Sequence, residues 1–277
     1  MPDVWVFQHL EAEPPALIET VLRRQGHTVH VFRTDRGECP KSLDGCAGLV
    51  VMGGPMAVYE PERNPWMLEE RRRIEQALAA NLPVLGMCLG AQFVAQAAGA
   101  KVYPGRLPKE IGWYPVTLTR AGQQDAVAGH LVEVPGRAAT DVFQWHGDTF
   151  DLPKKAELLA SSALYANQAF RVGRAAYGFQ FHFEVTDAII RDWVQRWRPE
   201  VLEQQLDPGS ILAEIPRRLA AMQVRGERAI AAWGALLQPI RGAASARKPA
   251  AKRKASKQVA LRKTSKPAMK RKASKRK

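Results

Sequence analysis

Residues 84–90 have the sequence Val84-Leu85-Gly86-Met87-Cys88-Leu89-Gly90, an apolar run that ends in a cysteine flanked by glycines. The run is typical of a buried strand, and residues 91–98 follow it as a helix. Glycines two positions before and after Cys88 permit the sharp turn that presents a nucleophile at the end of a strand. A helix N-terminus there would lower the pKa of the thiol. Cys88 is therefore a candidate nucleophile, and the alternative is a buried structural cysteine.

The chain on either side of this turn has the pattern of an α/β protein. Before it, apolar runs at 4–7, 28–32 and 48–52 alternate with helical stretches. Continuous apolar strands separated by helices indicate a parallel sheet with both faces covered. After it, close-set β segments predict an antiparallel or mixed extension; they lie at 113–119, 141–145, 157–161, 168–172 and 176–183. The predicted fold is a doubly wound α/β domain with a mostly parallel sheet.

Further helices are predicted beyond this extension. Apolar residues recur at helical spacing between Ile190 and Trp197 and again between Ile211 and Met222. Thr186 is the expected N-cap and Pro199 the expected end of the first of these helices. We expect them to pack on the same body, which predicts one domain over residues 1–241 whose C-terminal helices begin at about residue 186.

The charge of the chain is divided unequally. The 277 residues contain 41 Lys or Arg and 27 Asp or Glu, a net charge of +14, and 46% of them are hydrophobic, enough for a sizeable core. Residues 242–277 hold 15 of the basic residues and no acid, which leaves 26 basic and 27 acidic residues, a net charge of −1, in the rest. The last segment also repeats Arg-Lys-x-Ser-Lys every nine residues. It therefore predicts a disordered basic tail.

The tail has two interpretations. One is non-specific, salt-sensitive contact with DNA or RNA, and the other is a solubilising extension without a partner. Three cysteines are too few for a disulfide scaffold, and the longest apolar run is too short to span a bilayer. The start Met1-Pro2-Asp3 lacks the positive flank of a signal peptide. These features predict a cytoplasmic protein with no membrane partner, associated with nucleic acid if the tail binds it.

A second candidate group is Phe181-His182-Phe183-Glu184, at the end of an apolar run. On a strand, positions two apart face the same way, so His182 and Glu184 would project together. A carboxylate beside an imidazole fixes its tautomer and stabilises its charged form. By itself the pair is typical of a solvated strand end. Together with a cysteine at the end of another strand, it predicts a nucleophile, a base and an orienting acid.

The third candidate is the turn Gly53-Gly54-Pro55, which again follows an apolar strand. Glycines allow backbone N–H groups to approach a ligand closely. The N–H groups of Gly54 and Leu89 would then form an oxyanion hole for a tetrahedral intermediate.

These segments resemble the class I (triad) glutamine amidotransferases, in particular the glutaminase half of GMP synthase and its stand-alone relatives. The resemblance is strong over residues 48–184 and looser before them. It implies the flavodoxin-like fold of that family, with a catalytic triad of Cys88, His182 and Glu184. It also implies an oxyanion loop at Gly53 and Gly54. Further residues of the family's substrate-binding stretches are here Gly53, Gln92, His146, Gly147 and Asp148.

The implied reaction is hydrolysis of the γ-amide of glutamine through a γ-glutamyl thioester on Cys88, with no metal or organic cofactor. His146 beside Asp148 has no partner cluster with zinc-ligand spacing. No phosphate-binding Ser-Gly-Gly loop of the synthetase half of GMP synthase follows Glu184. Ammonia would therefore pass to a separate acceptor or synthetase subunit. Two alternatives stay open: a γ-glutamyl peptide or conjugate as substrate, and a nucleic-acid-associated binding protein whose triad is inactive or secondary.

Overall fold

The protein is described by a computed structural model that covers residues 2–133 and 138–237. The predicted basic tail at 242–277 lies outside the described residues. Within them the strands are β1 (Asp3–Gln8), β2 (Thr28–Arg33), β3 (Cys46–Val51), β4 (Val84–Met87), β5 (Val102–Pro104), β6 (Glu110–Leu118), β7 (Ala139–His146), β8 (Asp148–Phe150), β9 (Ala156–Ser161), β10 (Ala169–Val172) and β11 (Ala176–Phe179). The α-helices are α1 (Ala16–Arg24), α2 (Trp66–Ala79), α3 (Leu89–Ala97), α4 (Arg120–Gln124), α5 (Asp187–Arg196), α6 (Arg198–Glu203), α7 (Pro208–Ala213) and α8 (Ile215–Gly234).

Nine strands form one sheet in the order β2-β1-β3-β4-β11-β10-β9-β6-β7, and β5 pairs separately with β8. The first five strands of that order are parallel to one another, and the remaining pairs are antiparallel. The predicted α/β class is thus confirmed, as is the mostly parallel sheet with an antiparallel extension. Strand β11 is parallel to β4, and its last residue, Phe179, pairs with Met87. Both strands therefore end at the same side of the sheet, the edge formed by the carboxyl ends of the parallel strands. Open α/β sheets place their binding sites at this edge.

The core has two parts, one on each face of the sheet. On one face, Ile18 of α1, Trp193 of α5 and Trp233 of α8 pack in a single buried cluster. On the other face, Ile74 of α2 and Phe93 of α3 belong to a second cluster. Because both faces are covered, β3 and β4 are buried along their whole length, which explains their continuous apolar sequences.

The apolar run at 176–183 behaves differently from the prediction, because β11 ends at Phe179. The chain then bends, and His182 forms an isolated antiparallel bridge with Phe143 of β7. His182 and Glu184 do project together, as predicted, but from the bend after β11 and not from the strand itself. Phe181 and Phe183, which alternate with them along the chain, are both buried and pack on Phe179. Neighbouring side chains therefore still alternate in direction beyond the end of β11, with the phenylalanines in the core and His182 and Glu184 together.

The C-terminal helices also differ in detail from those predicted from the sequence. Thr186 caps α5 as predicted, because its hydroxyl accepts from the Ile189 N–H at 3.3 Å. Pro199, however, lies in the first turn of α6 rather than at a final helix end. The single helix predicted over 211–222 is two helices, α7 and α8, with Glu214 between them. Proline lacks an N–H and is tolerated in the first turn of a helix, so Pro216 starts α8 instead of continuing α7. No helix in the described residues is both long and apolar enough to cross a membrane.

Candidate active site

Cys88 occupies the sharp turn between β4 and α3. Its backbone has φ +49° and ψ −106°, a conformation that side-chain-bearing residues rarely adopt and that is held here by the surrounding structure. The Cys88 N–H donates to the Phe179 carbonyl at 2.8 Å, which ties the turn to β11. Gly90 lies so close to β3 that any Cβ there would collide with the Val51 carbonyl. The glycine after the cysteine is therefore required for α3 to pack against the sheet.

The thiol of Cys88 is buried. Its Sγ lies 3.6 Å from the Trp145 carbonyl oxygen and 3.6 Å from Nε2 of Gln180, which donates to it. Burial raises the pKa of the Cys88 thiol, and contact with the His182 imidazole offsets part of this rise. The direction is opposite to the one expected from the helix N-terminus, because burial of the thiol is the largest contribution to the shift. The histidine is therefore the group that favours the thiolate.

His182 and Glu184 are both buried and in contact. Nδ1 of His182 lies 2.7 Å from Oε1 of Glu184, whose other oxygen accepts from the Phe183 N–H at 3.0 Å. The edge of the imidazole packs on Trp193, with ring centroids 4.9 Å apart. Burial alone would lower the pKa of His182. The charge of Glu184 and hydrogen bonds to Cys88 and Glu184 outweigh burial and raise this pKa well above its ordinary value. The pair is arranged to hold a proton on the imidazole.

The predicted oxyanion loop lies against the start of α3. An added Cβ at Gly54 would lie 2.8 Å from Cδ2 of Leu89, which places the two backbone segments side by side. In the part of the chain that the structure describes, the N–H groups of Gly54 and Leu89 donate to no protein acceptor. Leu89 is the first residue of a helix, where N–H groups are left unpaired by the helix itself. Two free donors thus lie beside the Cys88 turn.

Cys88, His182 and Gly54 open into a cavity of about 470 Å³. Of the residues predicted for the site, the cavity wall includes Cys88, His182, Gly54, Gln92, His146, Gly147 and Asp148. The other three, Gly53, Leu89 and Glu184, do not line it. The structure therefore brings the predicted residues to one place, with Glu184 behind the histidine.

The predicted substrate-binding residues are already held by protein partners. Gln92 donates to Oε1 of Gln180 at 3.2 Å. His146 is fixed between the Glu110 carboxylate, at 3.1 Å, and the Asp148 carbonyl, at 3.0 Å. The Asp148 carboxylate accepts from the Tyr59 hydroxyl at 3.0 Å. Burial raises the pKa of Asp148, and the Tyr59 hydrogen bond lowers it in part. A cation bound at this wall would favour the ionised form of Asp148.

Sequence reasoning missed Glu13, which also lines the cavity. Its carboxylate occupies the space that a side chain at position 53 would need, so any Cβ at Gly53 would displace Glu13. Burial raises the pKa of Glu13 to about 7, while the His182 and His9 charges lower it in part and the Glu184 charge raises it. A single acid before Pro14-Pro15 has no local signal, and only the fold brings it to the cysteine. Gln180 was missed for the same reason.

One wall of the cavity is aromatic. Trp145, Trp193 and Trp197 contact one another, with ring centroids 5.6–6.0 Å apart. Glu200 accepts from the Trp145 ring N–H at 3.0 Å and pairs with Lys109 at 2.6 Å. This wall extends the cavity beyond the groups that surround Cys88 and provides apolar area next to a charged pair.

The other two cysteines of the described residues do not line this cavity. Cys39 and Cys46 are free thiols, and burial raises the pKa of each to about 12. Within residues 2–133 and 138–237, no cluster of three or more His, Cys, Asp or Glu side chains is arranged to hold a metal ion.

Comparison with known protein sequences gives a consistent result. Residues 15–189 match the family model described as glutamine amidotransferase class-I. A glutamine amidotransferase-like protein of Salmonella typhimurium, YfeJ, is 35% identical over 185 residues, which cover 65% of this chain and 75% of that protein. GMP synthase of Porphyromonas gingivalis is 34% identical over 148 residues, which cover 53% of this chain but only 26% of the synthase.

Solved structures agree with the sequence relatives. A glutamine amidotransferase from Thermotoga maritima superimposes with a TM-score of 0.75 and 31% identity, covering 84% of this chain and 97% of that one. A glutamine amidotransferase from Methylobacillus flagellatus gives a TM-score of 0.76 and 29% identity, covering 86% and 96%. With the family match spanning more than half of its length, the chain belongs to the class I glutamine amidotransferase family.

Proposed function

We propose that the protein hydrolyses the γ-amide of glutamine through a γ-glutamyl thioester on Cys88 and releases ammonia to a separate acceptor. The observation that carries this proposal is the arrangement around one cavity of a strained cysteine, a buried histidine–glutamate pair and two free backbone N–H groups. Membership of the family supports glutamine amide chemistry in general. The roles below are our assignments to individual groups.

In the first step His182 takes the proton of Cys88, and the thiolate attacks the γ-carbonyl carbon of glutamine. The carbonyl oxygen becomes an oxyanion, which the N–H groups of Gly54 and Leu89 stabilise. Glu184 orients His182 and stabilises its charged form. The pKa of His182 is raised, so the imidazole accepts the proton readily even though burial disfavours the free thiolate.

In the second step the C–N bond breaks, and His182 gives its proton to the departing nitrogen, which leaves as ammonia. A γ-glutamyl thioester on Cys88 remains. Water, deprotonated by His182, then attacks the thioester carbon through a second oxyanion. The C–S bond breaks, glutamate leaves, and the thiol is restored. Each step uses only groups that line or adjoin the cavity.

For the substrate we assign Asp148 to the α-ammonium group of glutamine, because Asp148 is an acidic residue that lines the cavity. Gly147 and Gln92 supply polar atoms to the same wall. His146, held between Glu110 and the Asp148 carbonyl, positions this segment and does not need to touch the substrate.

A second candidate substrate is a γ-glutamyl peptide or conjugate, processed by the same groups. The aromatic wall of Trp145, Trp193 and Trp197 favours it, because this wall enlarges the cavity where an amine bigger than ammonia would leave. Glutamine alone makes no use of this area.

The match to GMP synthase covers 26% of that protein, and we propose a separate protein as the acceptor of ammonia. We further propose that residues 1–241 form one amidotransferase-like domain and that the basic segment 242–277 contacts nucleic acid without sequence preference.

The test is turnover of glutamine and of γ-glutamyl dipeptides by the full chain, together with mass spectrometry of the acylated protein. We expect a γ-glutamyl adduct on Cys88 in the wild type and none in Cys88→Ala. Cys39→Ala is the matched control and should retain turnover. A wild-type Cys88 that is acylated by none of these compounds would sink the proposal and favour a binding protein with an inactive triad.

A further inference from the structure

Another buried histidine–glutamate pair, besides His182–Glu184 and His146–Glu110, lies behind the oxyanion loop. We infer that His9 and Glu70 are positioning residues that fix the Gly53–Gly54 peptide and strengthen its N–H group as an oxyanion donor. This inference rests on the proposed function, because it assigns a role within the same reaction.

The pair connects three parts of the fold. His9 follows β1, Glu70 lies on α2, and the loop at Gly53 follows β3. Nδ1 of His9 lies 2.9 Å from the Gly53 carbonyl oxygen, and Nε2 lies 2.8 Å from Oε1 of Glu70. Both side chains are completely buried. The imidazole stacks on Trp66 with centroids 5.3 Å apart, so its orientation is fixed on the ring face as well as at both nitrogens.

The hydrogen bond of His9 acts on the peptide group that carries the oxyanion donor. The Gly53 carbonyl and the Gly54 N–H belong to one planar unit, so fixing the carbonyl also fixes the direction of the N–H. A donor at the carbonyl polarises the peptide and makes its N–H a stronger donor. Two adjacent glycines have few conformational restraints of their own. An external anchor is therefore needed to hold the Gly54 N–H toward the cavity.

Both nitrogens of His9 face an acceptor, one a carbonyl and the other a carboxylate. With Glu70 ionised, each contact needs an N–H, so the arrangement favours the doubly protonated imidazolium. Burial alone would lower the pKa of His9. The Glu70 charge and hydrogen bond, the Gly53 carbonyl and the Glu13 charge raise it above its ordinary value. The other Glu70 oxygen has no hydrogen-bond partner in the described residues. His9 is therefore the side chain that this carboxylate binds. A cation at the Gly53 carbonyl polarises the peptide more than a neutral donor would.

Stability alone is a weak reason for such a pair. Two buried charges lose their hydration, and apolar residues of similar volume often stabilise a protein as well or better. Among the described residues, neither His9 nor Glu70 lines the cavity, so neither can bind the substrate directly. The contact that connects the pair to the site is the hydrogen bond to Gly53.

Two variants of His9 separate its two contacts. His9→Gln places an amide N–H near the Nε2 position, toward Glu70, and removes the donor to Gly53. His9→Asn places an amide N–H near the Nδ1 position and keeps that donor. With glutamine and a γ-glutamyl dipeptide as substrates, we expect His9→Gln to lower kcat by about a hundredfold, as loss of an oxyanion donor does, with KM changed by less than about threefold. His9→Asn should recover most of that loss.

Two further measurements distinguish positioning from a general loss of structure. Alkylation of Cys88 by iodoacetamide forms no oxyanion, so its rate, measured by peptide mass spectrometry, should stay near the wild-type value in both variants. Glu70→Gln keeps an acceptor for His9 but removes the charge, and we expect a smaller fall in kcat than in His9→Gln.

The inference is overturned if the two His9 variants lose kcat equally, if KM rises while kcat stays unchanged, or if Cys88 alkylation falls together with kcat. A wild type that turns over neither substrate overturns the proposed function, and this inference falls with it. A wild type that turns over substrate beside a fully active His9→Gln overturns this inference alone.

Discussion

At the residue scale, Glu13 illustrates how burial adjusts the charges around Cys88. Its carboxylate lines the cavity, close to His182 and to the glycine of the oxyanion loop. Burial raises the pKa of Glu13 from 4.5 to about 7, although the His182 and His9 cations lower it in part. The ionised carboxylate in turn raises the pKa of the Cys88 thiol. Near neutral pH this group is therefore partly protonated, and its charge is coupled to the proposed nucleophile.

The raised pKa of Glu13 has a consequence for stability. Below pH 4.5 the carboxyl is protonated in both the folded and the unfolded chain, so it does not make the free energy of unfolding depend on pH. Between about pH 4.5 and 7 it ionises in the unfolded chain first, so the free energy of unfolding falls as pH rises, by at most about 3 kcal/mol. Glu13→Gln removes this contribution. We expect urea unfolding to show the variant gaining stability over the wild type between pH 4.5 and 8.

The matched control is Glu11→Gln, two residues earlier, because the Glu11 side chain is 87% exposed. Its stability difference from the wild type should not change with pH. A constant difference for Glu13→Gln, or one that shrinks as pH rises, would contradict the predicted direction.

At the element scale, the site depends on the close packing of α3 against the sheet. This packing places the start of the helix next to the oxyanion loop. It was predictable from the sequence only in part. The glycines around Cys88 indicate a sharp turn, because that requirement is local. The end of β11 at Phe179 and the bridge between His182 and Phe143 were not predictable, because they depend on a strand about forty residues earlier in the chain.

Gly90→Ala tests this packing. The added methyl group would collide with the Val51 carbonyl, which belongs to the sheet and cannot move without disrupting β3. We expect the free energy of unfolding to fall by about 1–3 kcal/mol, as in other overpacked cores, and glutamine turnover to fall with it. Urea denaturation and steady-state kinetics measure the two effects.

Gly209→Ala in α7 is the control, since an added Cβ there would meet no atom closer than 3.3 Å. It should leave stability within about 1 kcal/mol of the wild type, because alanine favours a helix over glycine. Equal losses in the two variants would mean that the contact with β3 is unimportant.

At the scale of the whole molecule, the proposed catalytic groups and the excess positive charge lie in different parts of the chain. Residues before 242 have a net charge of −1, while the last 36 residues carry 15 positive charges. The cavity, the cysteine turn and the His182–Glu184 and His9–Glu70 pairs all lie among the described residues. The proposed nucleic-acid contact would come from the basic segment alone, so the two activities should be separable.

A chain truncated after residue 241 tests this separation. We expect its kcat and KM for glutamine to match those of the full chain, because the assigned groups are all retained. Fluorescence anisotropy with a random-sequence DNA duplex should show binding by the full chain that weakens steeply as salt increases, and none by the truncated chain. Equal binding by both forms, or binding that salt does not affect, would contradict the electrostatic proposal.

By itself, the sequence determined the α/β class, the family and the identity of the candidate nucleophile, base and acid. These follow from apolar runs, glycine spacing and motif order, all of which are local properties of the chain. Only the tertiary structure decided the surroundings of those groups. His9 and Glu70 lie 61 residues apart in sequence yet share a hydrogen bond, and burial, rather than the helix N-terminus, determines the direction of the thiol pKa shift. Solvation and charge proximity depend on segments that only folding brings together.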